Sequence, residues 1–146
     1  MPTQETPQGV TPHLVVDNAA AALEFYKKAF GATETMRLPA EDGKRLMHSE
    51  MMVNGSRFFV RDHFPEYCTA EGGKVRQEPP KALGGTSFTM HLEVPNCDKA
   101  VKRAVDAGAT VTMVPEDTFW GDRYGAVVDP FGHAWSFANR LPGQPG

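Results

Sequence analysis

The sequence predicts an α+β protein in which two β-α-β-β-β modules follow each other along one chain of 146 residues. An internal repeat is the main observation. The string Thr-Pro-His-Leu-Val-Val-Asp-Asn, which starts at Thr11, matches Thr-Met-His-Leu-Glu-Val-Pro-Asn, which starts at Thr89. Each copy continues through a helical pattern to Gly-Ala-Thr, at Gly31 and at Gly108. Since these features recur in the same order at nearly the same spacing, the sequence predicts one structural plan used twice.

Module 1, about residues 10–65, is predicted to contain one helix and four strands. Asn18 can cap the helix. Apolar residues then recur at helical spacing as far as Phe30, and Gly31 lies where a helix C′ glycine belongs. The dipeptide Asn54-Gly55 predicts a tight hairpin between the last two strands. The predicted strands are 11–16, 33–38 (before Pro39), 46–53 and 57–61.

A polar stretch rich in Gly, Pro and Lys, about residues 66–86, has no periodicity and is predicted to be a linker within a single domain, 1–146. Module 2, about residues 87–140, repeats the pattern, with Asn96 as the helix cap and Gly108 as the helix end. Asp129-Pro-Phe-Gly has the residue order of a type I turn. The predicted strands of this module are 87–94, 110–114, 124–128 and 134–138.

Two such modules in a short chain resemble the vicinal oxygen chelate superfamily, which includes glyoxalase I, bleomycin-resistance proteins and extradiol dioxygenases. Three segments carry the resemblance to its short glyoxalase-like subgroup: residues 11–31, the string Glu-Asp-Thr-Phe-Trp-Gly-Asp-Arg-Tyr-Gly from Glu116, and Asp-Pro-Phe-Gly-His-Ala-Trp-Ser from Asp129. The resemblance implies that the modules pair into U-shaped mixed sheets around a cavity, commonly within a homodimer. Because a fold does not fix a reaction, the site needs its own argument.

In metal-dependent members, ligands lie on the first and fourth strands of each module. The resemblance assigns these positions to Thr11, Phe59, Thr89 and Ser136. None of the four is a good ligand for a divalent metal, so we expect no cofactor and no metal at the usual positions.

Two histidines make a metal site at displaced positions an alternative hypothesis. His13 and His91 each lie two residues beyond the usual position and therefore point to the same sheet face. Together with Glu93 or Glu50 they would form a displaced metal site for a lyase, isomerase or dioxygenase. Otherwise they are a pair of hydrogen-bonded cavity histidines.

The leading functional hypothesis is a protein that binds a small molecule in the cavity between the sheets. Arg61 lies on the same strand face as Phe59 and would either clamp a carboxylate or phosphate or hold an acidic side chain. Trp120 and Arg123 lie in an aromatic loop and would either line the pocket or fasten the loop. The full set of candidate ligand-binding residues is Thr11, His13, Phe59, Arg61, Thr89, His91, Trp120, Arg123 and Ser136.

Other chemically active side chains have a structural interpretation as well. His48 and Glu50 alternate on one strand face, and a solvated outer face is favoured over an acid/base pair. Trp135 and the neighbouring Phe137 are predicted to be core residues, and His133 a structural residue of a hairpin. Cys97 lies near a helix start, which can lower the pKa of a thiol, but with no assigned base a small buried or surface residue is the favoured interpretation.

Composition excludes several classes of protein. The formal net charge of −3 argues against a nucleic-acid binder, since phosphate contacts need clustered Lys and Arg. The chain has no apolar run of the roughly 20 residues that a membrane span needs. Its first ten residues lack the basic and apolar regions of a secretory signal, which predicts a cytoplasmic protein. Cys68 and Cys97 are then expected to be free thiols.

Overall fold

The first module forms a four-stranded mixed sheet, sheet 1, in the computed structural model, which describes residues 9–67 and 76–143. Strand β1 pairs in parallel with β4, and the other neighbours are antiparallel, in the order β1-β4-β3-β2. One helix, α1, follows β1 in the chain. The bounds of these elements are β1 His13–Val16, α1 Ala19–Phe30, β2 Thr33–Pro39, β3 Leu46–Val53 and β4 Ser56–Asp62.

The second module repeats this plan in sheet 2, whose strand order is β5-β8-β7-β6 with β5 and β8 parallel. The described residues between the modules include a 3-10 turn, Pro65–Tyr67, and a short helix, α2, Pro80–Leu83. The predicted α+β fold of two β-α-β-β-β modules is confirmed. The bounds are β5 Thr89–Glu93, α3 Cys97–Ala107, β6 Thr110–Asp117, β7 Asp122–Val128 and β8 Ala134–Arg140.

Several predicted boundaries were wrong. β1 begins at His13, because Pro12 has no amide N–H for the ladder, although its carbonyl accepts from the amide of Phe59 over 2.9 Å. β6 runs on to Asp117, where it still pairs with Arg123. The segment predicted to be a linker contains α2, and residues 68–75 of it, including Cys68, lie outside the described residues.

The two helices begin in equivalent ways. The side-chain oxygens of Asn18 and Asn96 accept hydrogen bonds from first-turn amides over 3.1 and 3.0 Å, as the capping prediction requires. A second acceptor comes from the last strand of each module. Asp62 Oδ1 accepts from the amide of Ala19 over 2.8 Å, and Asn139 Oδ1 accepts from the amide of Cys97 over 2.7 Å. The repeat therefore extends to the strand ends.

A single hydrophobic core joins the two modules, since buried residues of both helices and both sheets belong to one cluster. The carboxylate of Asp129, at the β7–β8 turn, lies within this core. Its Oδ2 accepts from the hydroxyl of Tyr26 over 2.7 Å and from the indole N–H of Trp135 over 2.9 Å. Its Oδ1 accepts from the amides of Phe131 and His133. Buried polar groups are stable only when bonded, so this network fixes module 1 on module 2.

None of the helices within residues 9–67 and 76–143 has the length and apolar character that crossing a bilayer would require.

Candidate functional site

Each sheet carries a row of paired residues on the face opposite the shared core. In sheet 1, His13 pairs with Phe59, Phe59 with Glu50, and Glu50 with Met36. In sheet 2, the corresponding row consists of His91, Ser136, Ala126 and Met113. Because paired residues on neighbouring strands point to the same side of a sheet, each row forms a continuous strip of side chains. We call these strips row 1 and row 2.

Row 1 is surrounded by an aromatic and charged cluster. The His48 ring lies 4.6 Å from the Phe59 ring, and the His13 ring lies 5.6 Å from it, both edge-on. His48 Nε2 is 3.3 Å from Glu50 Oε2, and the two side chains are only 26% and 20% exposed. His48 and Glu50 therefore lie on the outer face of a half-buried strand, as the favoured interpretation predicts, although their side chains are only partly exposed. Strand alternation placed the two side chains on one face correctly, and the contacts with Phe59 and His13 account for their partial burial.

The environment of His13 favours the neutral imidazole. Partial burial lowers the pKa of His13, and the positive charges of Arg61 and His48 lower it further. A neutral histidine can donate one hydrogen bond and accept another. At neutral pH, row 1 therefore offers an uncharged imidazole beside a permanently charged guanidinium.

Row 2 holds its histidine by direct hydrogen bonds. His91 Nδ1 lies 2.7 Å from the hydroxyl of Ser136, and Nε2 lies 2.5 Å from Glu93 Oε2. The Tyr124 ring stacks nearly parallel to the imidazole, with centroids 6.1 Å apart. Tyr124 was not among the predicted site residues. Its position on β7, two residues from Ala126, gives it the same face as row 2.

The predicted aromatic loop is fastened by acidic side chains. Arg123 donates to Asp98 from two nitrogens over 3.1 and 3.2 Å and also to Asp117 over 3.1 Å. Trp120 donates to Asp122 over 3.1 Å, while half of its surface stays exposed. The guanidinium of Arg123 thus has three carboxylate contacts, as a residue that fastens the loop requires.

Two cavities border the rows. The strap cavity, about 610 Å³, lies between β1, β4 and residues 76–88, which we call the strap, and His13 and Arg61 line it. The hairpin cavity, about 680 Å³, lies between β5 and the β3–β4 hairpin. It is lined by Thr89, His91 and Glu93. Within one chain, the two predicted histidines therefore border different cavities.

The residues at the metal-ligand positions of the family that the sequence resembles are not suited to bind a metal. Phe59 supplies a ring that packs against His13 and His48, and the buried hydroxyl of Ser136 bonds to His91. Thr11 precedes β1, and Thr89 begins β5. Within residues 9–67 and 76–143, no three His, Cys, Asp or Glu side chains group as a metal site requires. The residues at these positions therefore support hydrogen bonding and packing rather than metal coordination.

Sequence reasoning missed the strap as the wall of a cavity. Pro80 begins α2, and Gly84 ends it in the left-handed conformation, with its amide bonded to the Pro80 carbonyl over 2.8 Å. Proline at a helix start and glycine at its end are a recognisable signal even in so short a segment.

Four further side-chain predictions have clear outcomes. Trp135 and Phe137 are buried in the core, as predicted. His133 Nε2 lies 2.9 Å from the Val15 carbonyl oxygen and so has the structural contact expected of it. Cys97 is a buried free thiol, as its favoured structural interpretation predicts, and burial followed by the charge of Asp98 raises its pKa.

Comparisons with known proteins agree with the fold. A family model described as Glyoxalase/Bleomycin resistance protein/Dioxygenase superfamily matches residues 10–137. The uncharacterized protein Mb0911c of Mycobacterium bovis is 49% identical over 136 residues, which are 93% of this chain and 82% of that protein. The uncharacterized protein At5g48480 of Arabidopsis thaliana is 33% identical over 127 residues, which are 82% of this chain and 70% of that protein.

Two solved structures superpose on most of the chain. The X-ray structure of the At5g48480 product is 30% identical, with a TM-score of 0.66 over 91% of this chain and 99% of that chain. The crystal structure of TioX from Micromonospora sp. ML1 is 26% identical, with a TM-score of 0.65 over 91% of this chain and 100% of that chain.

Proposed function

Because this chain belongs to the glyoxalase/bleomycin resistance protein/dioxygenase superfamily, we propose that it is a homodimeric small-molecule-binding protein without a metal at the family's usual positions. The observation that carries the proposal is the pair of equivalent rows. At matching places they present imidazole, aromatic and hydroxyl groups. A pocket that combines apolar walls with a few convergent polar groups suits a small organic molecule.

The homodimer proposal is supported by exposed apolar residues on the two sheets. Met36 and Met113 end rows 1 and 2 and are 40% and 53% exposed. Val114 on β6 and Trp120 in the following loop are also exposed. Exposed apolar side chains of this kind are ones that a second chain can cover. Since His13 and His91 border different cavities of one chain, we propose that the partner's sheet 2 closes the face of row 1.

The test combines oligomeric state with ligand mapping. We expect light scattering after size exclusion to give twice the chain mass, and a fragment screen by amide NMR to shift resonances of rows 1 and 2 together. Met113→Asp introduces a carboxylate at the end of row 2 and is expected to yield monomers that bind fragments weakly. Val105→Asp, at an exposed apolar position on α3, is the matched control and is expected to remain dimeric.

Two results would refute the proposal. One is a wild-type monomer whose fragment-induced shifts lie outside both rows. The other is a stoichiometric metal in protein purified without an affinity tag that is lost in His13→Ala, which would favour the alternative of a metal-dependent lyase, isomerase or dioxygenase.

A further inference from the structure

The strap cavity has the dimensions of a ligand pocket within one chain. Its volume of about 610 Å³ lies within the range of roughly 300–1,000 Å³ for small-molecule sites. One wall consists of His13, Val15 and Arg61 on sheet 1. The opposite wall is the strap, which contributes the apolar side chains of Leu83 and Phe88.

The strap is held against the body of the protein at separate points. An added Cβ at Gly132, in the β7–β8 turn, would lie 2.8 Å from Pro80 Cβ, so turn and strap are in close contact. The Phe88 ring meets the His133 ring edge-on at 6.1 Å. Gln77 accepts a hydrogen bond from Arg61 over 3.3 Å. These contacts come from both modules and give the cavity a defined wall.

Among the described residues that line the cavity, Arg61 carries the positive charge that the other charged side chains leave unbalanced. Arg76 and Glu78, both in the strap, form an ion pair with each other. The hydrogen bonds of Arg61 go to neutral oxygens, namely the Asp62 carbonyl over 3.1 Å and the Gln77 amide oxygen. By contrast, most arginines of the described residues lie within 4.0 Å of a carboxylate. A guanidinium carries five N–H donors, so Arg61 keeps donors for a further acceptor.

We propose that the strap cavity binds small organic anions, with a carboxylate or phosphate monoester at Arg61 and an apolar body against Leu83 and Phe88. The assignment rests on the proposed small-molecule function and names the chemical class of its ligand. Guanidinium groups bind carboxylate and phosphate oxygens in a bidentate manner. At the same wall of the cavity, partial burial lowers the pKa of His13, and the charge of Arg61 lowers it further.

The experiment compares matched probes by amide NMR and calorimetry on the full-length chain. Sodium benzoate and phenyl phosphate represent the two anion types, and benzamide is the uncharged analogue of benzoate. We expect the anions to shift the amides of residues 13–16 and 83–88 and to bind at least about tenfold more tightly than benzamide. Arg61→Gln should weaken anion binding by about tenfold and leave benzamide unaffected. Arg37→Gln, on the same sheet but ion-paired to Glu34, is the control.

Each unfavourable outcome has a distinct meaning. Equal affinities for benzoate and benzamide would overturn the anion assignment. An equal loss of benzoate affinity in Arg61→Gln and Arg37→Gln would overturn it as well. Shifts confined to sheet 2 would overturn the location. A dimer that binds benzamide on rows 1 and 2 would keep the proposed function while refuting the anion class. A monomer that binds benzoate through Arg61 would refute the dimer and keep the anion site. A preference for phenyl phosphate over benzoate, or the reverse, identifies the anion type.

Discussion

Replacing Tyr26 by Phe removes one hydroxyl from the buried network around Asp129 and leaves the ring in place. The hydroxyl donates to Asp129 Oδ2 over 2.7 Å, and the two residues are 0% and 4% exposed. Burial, followed by the charge of Asp129, raises the pKa of Tyr26 well above 10. The hydroxyl therefore stays protonated and remains a donor throughout the pH range in which the protein is handled.

The expected loss follows from the type of hydrogen bond. A bond to a charged acceptor contributes about 1.5–3 kcal/mol, and water cannot replace the lost donor at a buried oxygen. We expect Tyr26→Phe to lower the free energy of unfolding by about 2 kcal/mol, because Trp135 still donates to the same oxygen. For a chain of this size, that loss lowers Tm by roughly 4–8 °C.

Urea denaturation followed by far-UV circular dichroism measures this change, and calorimetry gives Tm. Tyr67→Phe is the matched control, because Tyr67 is 70% exposed. Removing its hydroxyl should change the free energy of unfolding by less than about 0.5 kcal/mol. If the Tyr26 variant were as stable as the Tyr67 variant, the hydrogen bond from Tyr26 to Asp129 would not stabilise the contact between the modules. The structural account of the shared core would then be refuted.

Three further predictions concern single side chains. By NMR, the pKa of the His13 imidazole should lie below 6.5. Because His13 takes up its proton at a higher pH in the unfolded chain than in the folded protein, the free energy of unfolding falls as the pH drops from about 6.5. His13→Gln should reduce the slope of this pH dependence. A slope unchanged in the variant would contradict the assignment. Gly132→Ala should lower the free energy of unfolding by about 1–3 kcal/mol, and by more than Gly43→Ala does. Both glycines have positive φ, but of the two only Gly132 has a close neighbour for the added Cβ. An equal loss of stability in the two variants would show that the strap moves away to make room. In a Cys68→Ser background, the buried thiol of Cys97 should react with a thiol reagent only after urea is added, and rapid labelling of native protein would refute its burial.

The repeat made the architecture predictable, because a pattern that recurs in the same order predicts two modules of one plan. His13 and His91 were placed on matching strands by sequence alone, and the structure adds that each faces its own module's residue, Phe59 or Ser136. The ion pair of Arg123 with Asp98 was not predictable, because Asp98 is distant in sequence and meets Arg123 only through packing of α3 on β7.

The strap escaped prediction for a related reason. A helix of four residues has too few positions for periodicity to be visible, and its place depends on contacts with a distant turn. Pro80 and Gly84 marked a local turn of helix, but nothing in the local sequence located the wall opposite Arg61. Burial of the face carrying His48 and Glu50 was likewise a tertiary property.

The carboxylate of Asp129, bonded to residues of both modules, has a consequence for how the duplicated halves behave. Neither half can open alone without leaving a buried polar group unpaired, so the repeats form one cooperative unit although each has a complete set of elements. In deuterium exchange, the most protected amides of α1 and α3 should exchange at the same slowest rate, that of global unfolding. A half produced as a separate polypeptide would expose its side of the core, and two copies would have to associate to cover it.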